Sequence, residues 1–422
     1  SGSAALIARA GTAADTVFVV ARNPTRYIVD KGVVITPRFG TAARPYARIQ
    51  DAVNAADAGD TVVVLRGLGR YSESVNLVRR IVLMGDSMPF AITRRLADLV
   101  FISHDTGAYA IRAHTTAPVA IKFLAITHTL DGPAIDADGS TVQVEHVAVN
   151  RPGSVTTPIG RGISIAHSST PGSTVADSWI FSVLGYGVRL YQVTGGSVAG
   201  DTVDLVAGAP DGADGSGIRV TGGGVSVTNN TVRRTLGPQI HADSSSDVFV
   251  SRNDLQGVSR MVRLVDVGRA TVDFNALRVR QAIGEGTFFS YGDVDSAVVQ
   301  VIRPRGVFTV SDNAFVADVE SCPPVYCPVL RRDFLSSADR AGSGVTYVVR
   351  NSVHGANRVL FSRNEWLSTS GNRADSVVSY YFAAGTDGIY SDGDTVSAAV
   401  RPCILATTDY APGVTGGQYT FS

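Results

Sequence analysis

One segment type recurs along the chain with arginine, histidine or aspartate at a fixed place in it. It appears as AIRA (110–113), AIDA (134–137), GISI (162–165), GVRL (187–190), GIRV (217–220), QIHA (239–242), MVRL (261–264) and FFSY (288–291). If each is a β-strand, alternation turns Ile111, Ile135, Ile163, Val188, Ile218, Ile240, Val262 and Phe289 inward. The outward residues are then Arg112, Asp136, Ser164, Arg189, Arg219, His241, Arg263 and Ser290. Two residues further on lie His114, Asp138, Ala166, Tyr191, Thr221, Asp243, Val265 and Gly292. Stacked at about 4.8 Å per rung, Arg189, Arg219, His241 and Arg263 make a basic stripe with Tyr191 and Asp243 beside it.

Guanidinium forks bind carboxylate or sulfate bidentately, and an aromatic ring stacks on a sugar face. Arg189, Tyr191, Arg219, His241, Asp243 and Arg263 are therefore the candidate glycan-binding set. A catalytic alternative makes Arg219 or His241 the base that removes the proton next to a uronate carboxylate. Arginine is a poor base unless strongly perturbed. A solvated face fits the same residues, because like charges at this spacing repel and call for interspersed acids. No cofactor is required. Calcium has candidates in Asp136 and Asp138, and in Asp387, Asp392 and Asp394 of DGIYSDGDT, where hard carboxylate oxygens cluster. Asp-Gly turns explain the second group equally well. Cys322 and Cys327 of CPPVYC are spaced to close a small disulfide loop in an exported protein, with Cys403 left over. His104, His114, His128, His146 and His167 fall on different rungs and read as surface or turn residues.

Such a stripe needs a solenoid to hold it. A second unit, apolar-x-apolar-x-x-polar-x-apolar, recurs from VAIKFLAI (119–126) to LFSRNEW (360–366). Its sixth position runs Leu124, Val147, Ser178, Asp201, Asn230, Asn253, Asn275, Asn313 and Asn364, at intervals of 23, 31, 23, 29, 23, 22, 38 and 51 residues. The recurring 22–23 is one coil of a parallel β-helix, and longer intervals hold inserted loops. Stacked Asn side chains bond one another and the turn backbone, and Asn tolerates the left-handed corner. The column is structural, an internal asparagine ladder.

Composition agrees. The chain has 422 residues, 44 of them Gly, with 18% charged residues and zero net charge, which fits a turn-rich β protein and gives no bulk attraction to nucleic acid or anionic membrane. No apolar run approaches the ~20 residues a membrane span needs. Neither a signal peptide nor an initiator Met precedes Ser1, so the sequence reads as a mature or trimmed form.

The stretch Thr36–Asp86 holds a helix in Tyr46–Ala56, an Ala-Gly-Asp stop, the strand Thr61–Leu65 and a Gly-rich corner. With YARIQDAVNAADAGDTVVV and GRYSESVNL, it resembles the opening of the pectin-lyase-like right-handed parallel β-helix superfamily, most closely that of pectin methylesterases. The resemblance implies an all-β, single-stranded solenoid of ten to twelve coils, with an N-terminal cap helix and a C-terminal β cap. The methylesterase QDT, DFIFG and LGRPW segments are missing, as are the Asp-Asp doublet of polygalacturonases and the WxDH segment of pectate lyases.

The expected division is an arm, strands and cap helix (1–60), the β-helix (61–367, with an insertion near 318–350) and a C-terminal cap (368–422). Residues 1–14 read as a flexible lead or docking arm. The expected function is an exported or cell-surface protein, non-catalytic, that binds glycan or packs into an extracellular assembly. The alternatives are a polysaccharide lyase or hydrolase acting on acidic glycans, and a trimeric spike or adhesin. Expected partners are polysaccharide or further copies of the chain, with no nucleic acid and no membrane span.

Overall fold

Each coil lays down three short parallel strands, and successive coils stack them into three faces. Face 1 holds Ile111–His114, Pro133–Asp138, Arg161–Ala166, Ile240–Asp243, Val262–Val265 and Val299–Ile302, with the first halves of the long strands Tyr186–Ala199 and Ser216–Thr228. Face 2 holds the second halves of those long strands, together with Val119–Lys122, Val142–Glu145, Thr174–Ala176, Asp247–Ser251 and Arg269–Asp273. Face 3 is a 12-stranded sheet running from Val100–His104 to Thr395–Ser397. The chain is a right-handed parallel β-helix, as its periodicity and opening block imply. This computed structural model describes residues 2–10, 13–21, 25–32, 40–66, 70–104, 108–128, 131–150, 158–209, 211–212, 215–257, 260–279, 297–317, 335–338, 345–355, 358–363, 366–375, 379–384, 388–397, 404–407 and 418–421.

The core is the bore of the coil. Ile111, Ile135, Ile163, Val188, Ile218, Ile240 and Val262 are all fully buried, which fixes the direction of every polar neighbour on face 1. The eighth rung differs from expectation. Arg263 pairs with Gln300 of Val299–Ile302, whereas FFSY (288–291) lies outside the described residues.

Between faces 2 and 3 runs the column of stacked amides. Asn230 donates from its backbone N (2.9 Å) and its Nδ2 (3.0 Å) to Oδ1 of Asn253, and Nδ2 also reaches the Val198 carbonyl at 3.0 Å. The pattern repeats through Asn253, Asn275, Asn313, Asn351 and Asn372. After Asn313 the column therefore passes through Asn351 and Asn372; position 364 lies outside the described residues. The left-handed backbone falls one residue earlier than expected, on Asp177, Gly200, Asn229, Arg252, Phe274, Asp312 and Arg350, leaving the column side chains extended into the bore. The column ends on Asp394. Its Oδ1 accepts from Asn372 N (2.7 Å) and Nδ2 (2.9 Å), and its Oδ2 from Thr369 Oγ1 (2.5 Å), so this carboxylate, one of the calcium candidates, closes the column.

At the N-terminal end, α1 (Ile49–Ala55) buries Ile49, Ala52 and Val53 over the first coils. Glu73 caps it, accepting from Ile49 N (2.8 Å) and Gln50 N (3.1 Å), and Asp60 receives Thr25 N (2.7 Å) and Asp57 N (2.8 Å). Burial pushes the Tyr71 phenol up to about 12, and its hydroxyl donates to the Leu65 carbonyl at 2.9 Å. A second helix, α2 (Ser87–Thr93), was not anticipated, although Asp86 before it is a standard N-cap and accepts from Met88 N. Its Phe90 packs on the outside of face 3 against Phe123 and Trp179, at 6.1 and 5.9 Å. Residues 2–10 form a strand, not a flexible lead, paired antiparallel with Ala13–Ala21. Strands beyond 367 continue the parallel stacking, Gly388–Asp392 lying on Trp366–Ser370.

Candidate functional site

Face 1 brings the predicted residues into one register. Arg112, Asp136, Ser164, Arg189, Arg219, His241, Arg263 and Gln300 are successive partners down a single row. His114, Asp138, Ala166, Tyr191, Thr221, Asp243 and Val265 form the row beside it. The six glycan candidates thus occupy two adjacent rows over four rungs.

They are not equivalent. Arg219, His241 and Arg263 are engaged by other groups of the chain. His241 is only 5% exposed, which leaves little of its ring for a ligand, and Asp243 accepts a hydrogen bond from Ser244 Oγ at 2.8 Å. Arg189 forms no ion pair among the described residues. Its guanidinium sits 5.8 Å from the ring of Tyr186 and 5.0 Å from that of Tyr191. Aromatic faces hold a cation in place without neutralising it. Tyr186 is shared with Arg161, which pairs with Asp211 (2.7 Å) and Asp131 (3.3 Å).

The other end of the two rows is built from histidine and aspartate. Arg112 Nη2 donates to His114 Nδ1 at 2.6 Å, and His114 Nε2 meets Asp136 Oδ2 at 2.8 Å. Arginine only donates, so Nδ1 accepts and the ring proton sits on Nε2. His167 Nδ1 meets Asp138 Oδ1 at 2.8 Å, and its ring stands edge-on to Tyr191 at 5.2 Å. Asp136 and Asp138, the first pair of calcium candidates, each bond a histidine, and no metal-ligating group of three or more such side chains is formed among the described residues. Asp392 is exposed, while Asp387, Cys322, Cys327 and Cys403 lie outside the described residues.

Two of the five histidines read as surface or turn residues therefore belong to this face. A third, His128, is fully buried, and His146 stacks on Phe123 at 5.0 Å. Between the acidic and basic ends lie two small side chains, Ser164 and Ala166. In register they separate Asp136 and Asp138 from Arg189 and Tyr191. The two pairs stand two rungs, about 10 Å backbone to backbone, apart, and His167 reaches from Asp138 to the Tyr191 ring.

No family model and no curated protein sequence matches the chain. Solved structures do. The catalytic unit of a GH87 alpha-1,3-glucanase from Streptomyces thermodiastaticus strain HF3-3 is 11% identical with a TM-score of 0.47, over 88% of this chain and 63% of that one. DFA-IIIase from Arthrobacter chlorophenolicus A6 is 13% identical with a TM-score of 0.49, over 85% and 94%. The tailspike gp61 of Pseudomonas phage phi297 is 13% identical with a TM-score of 0.46, over 88% and 80%. The fold is a right-handed parallel β-helix. What this β-helix does has to be argued from its own face 1.

Proposed function

We propose that this β-helix binds acidic glycan chains along face 1, with Arg189 as the principal contact for a sugar carboxylate or sulfate. The observation that carries the reading is Arg189 itself, a cation without a carboxylate partner among the described residues, held between Tyr186 and Tyr191. Tyr191 offers a stacking surface to the same sugar, and Arg219 and Arg263 extend the basic row along the direction of a chain. Such a protein works outside the cell or on its surface, where long acidic polysaccharides are met.

Calorimetric titration with oligomers of galacturonate, mannuronate and guluronate, beside neutral oligomers, tests this. Arg189→Ala is expected to weaken binding about 10- to 100-fold, the loss of a charge-assisted hydrogen-bond pair. Affinity is also expected to fall with added salt. Equal affinity for neutral and acidic oligomers, or an Arg189→Ala variant that binds like the parent, would rule the reading out.

Self-assembly is a second reading with its own observation. Gly2–Ala10 and Ala13–Ala21 pair with each other and with no other strand among the described residues. A lone two-stranded hairpin is marginal in water, so a neighbouring copy is its natural support. Native mass spectrometry is expected to give a multiple of 44.2 kDa that falls to the monomer when residues 1–24 are removed. A monomer before truncation sinks this second reading.

A further inference from the structure

We propose that face 2 is a two-fold interface between copies of this chain, which meet antiparallel about an axis between the Thr271 and Thr309 rungs. This rests on the self-assembly reading and names the surface on which the copies meet. Face 2 continues past Arg269–Asp273 through Val307–Ser311, Val345–Val349 and Trp366–Ser370. Its two outward rows between Thr174 and Ser370 hold two side chains per rung over eight rungs, and of these sixteen only Asp273 is charged. Face 1 carries Arg189, Arg219 and Arg263 in a single row of the same coils.

Charge sits at the borders of face 2 instead. Arg269 pairs with Asp247 (2.5 Å) along one edge, and Arg350 with Asp312 (2.7 Å) at the corner towards face 3. Inside these borders Phe249 and Tyr347 are each 40% exposed. A charge-poor centre with aromatic side chains, inside a charged rim, is the composition of a protein–protein interface. The way to it is also open. The two longest excursions within this stretch, from Val279 to Val299 and from Ala317 to Leu335, run from face 3 to face 1, at the corner opposite face 2.

A second copy is the partner that fits. The first outward row reads Ser226, Phe249, Thr271, Thr309, Tyr347, Ser368 down six rungs. Hydroxyl, ring, hydroxyl, hydroxyl, ring, hydroxyl is the same order in both directions. A two-fold axis lying in the interface along the strands, midway between Thr271 and Thr309, therefore turns the row onto itself. Phe249 then meets the partner's Tyr347, and Thr271 meets the partner's Thr309. An isologous contact requires this self-complementarity, and the two ring pairs bury apolar surface that one copy leaves in water.

The strip runs on in register to Tyr390 and Thr420. Ten rungs at about 4.8 Å, with strands about 16 Å long, give roughly 700 Å² per copy and about 1,400 Å² in all. That reaches the range of specific interfaces and falls short of permanent dimers, so the hairpin formed by Gly2–Ala10 and Ala13–Ala21 keeps a share in the assembly.

Native mass spectrometry of the full chain at micromolar concentration tests this. The parent is expected at twice 44.2 kDa or a higher even multiple. Thr309→Arg sets two guanidinium groups close together across the axis and is expected to weaken association at least about 100-fold. Thr231→Arg, the same change on face 3, is expected to leave association unchanged, and circular dichroism reads the fold of both variants. A photo-crosslinking benzoylphenylalanine in place of Phe249 is expected to join the peptide that holds the partner's Tyr347. An odd multiple, a crosslink to the peptide around the partner's own position 249, or a Thr309→Arg variant that associates like the parent overturns face 2. The hairpin reading survives those results if removal of residues 1–24 still gives the monomer. A truncated chain that stays associated, beside a Thr309→Arg variant that does not, keeps face 2 and overturns the hairpin. A monomeric parent overturns both.

Discussion

Asn253→Asp is expected to destabilise the β-helix by on the order of 3–5 kcal/mol at neutral pH, enough to abolish folding if the margin is small. Asn253 is 1% exposed and its side chain makes four hydrogen bonds at once. Its Oδ1 accepts from the backbone N (2.9 Å) and Nδ2 (3.0 Å) of Asn230. Its Nδ2 donates to the Val227 carbonyl (3.0 Å) and to Asn275 Oδ1 (2.9 Å). The aspartate keeps the first pair and sets a second carboxylate oxygen against two acceptors, so charge repulsion adds to lost hydrogen bonds. Asn229→Asp is the control. Position 229 is exposed and left-handed, a conformation aspartate tolerates, so its effect should stay within about 0.5 kcal/mol. Chemical denaturation followed by circular dichroism measures both, and equal losses would refute a supporting role for the column.

Asp201→Asn is expected to act in the opposite direction. Asp201 is the column's one interior carboxylate and lies 1% exposed between Ser178 and Asn230. Its Oδ1 accepts from Ser178 N at 2.6 Å, and its Oδ2 is buried without a partner. Burial, with a smaller contribution from Asp177, pushes its carboxyl well above the usual carboxylate range. In the following coil the atom equivalent to Oδ2 is the Asn230 amide nitrogen, which donates to Val198. Val175 stands in register with Val198, so an amide at 201 faces a carbonyl it can bond.

The sign of the pH effect follows from the raised value. The folded state holds the Asp201 proton more tightly than the unfolded state does. This stabilising contribution is complete below the ordinary carboxylate range and is lost as pH rises through the folded value. The parent should therefore lose stability from acid towards neutral pH. Asp201→Asn should remove that slope and gain about 1–3 kcal/mol at neutral pH. A variant less stable than the parent at neutral pH, or one with the same slope, would refute the raised Asp201 carboxyl as the source of the effect.

The two rows of face 1 were legible because alternation fixes which way each side chain points, and the buried Ile and Val of each segment fix the phase. The pairing of His167 was not. The carboxylate partner of His167 lies 29 residues away and is found only by knowing the register. The amide column was legible up to Asn313 and then lost. Asn351 follows at the same 38-residue step that separates Asn275 from Asn313, but LFSRNEW imitates the repeat more closely than RNSV does. The place of Asp394 in the column is hidden for a related reason: an aspartate among glycines reads as a cation loop until the register brings it under Asn372. The helix α2 escaped because seven residues, one of them Pro89, carry too little periodicity to stand out beside their Asp86 cap.

A crystal structure of the protein with a uronate tetramer would test the central claim most directly. A sugar carboxylate is expected on Arg189, with the chain running along the Arg219–Arg263 row of face 1. A tetramer bound on another face, or an empty face 1 at a concentration that saturates the protein in solution, would contradict it.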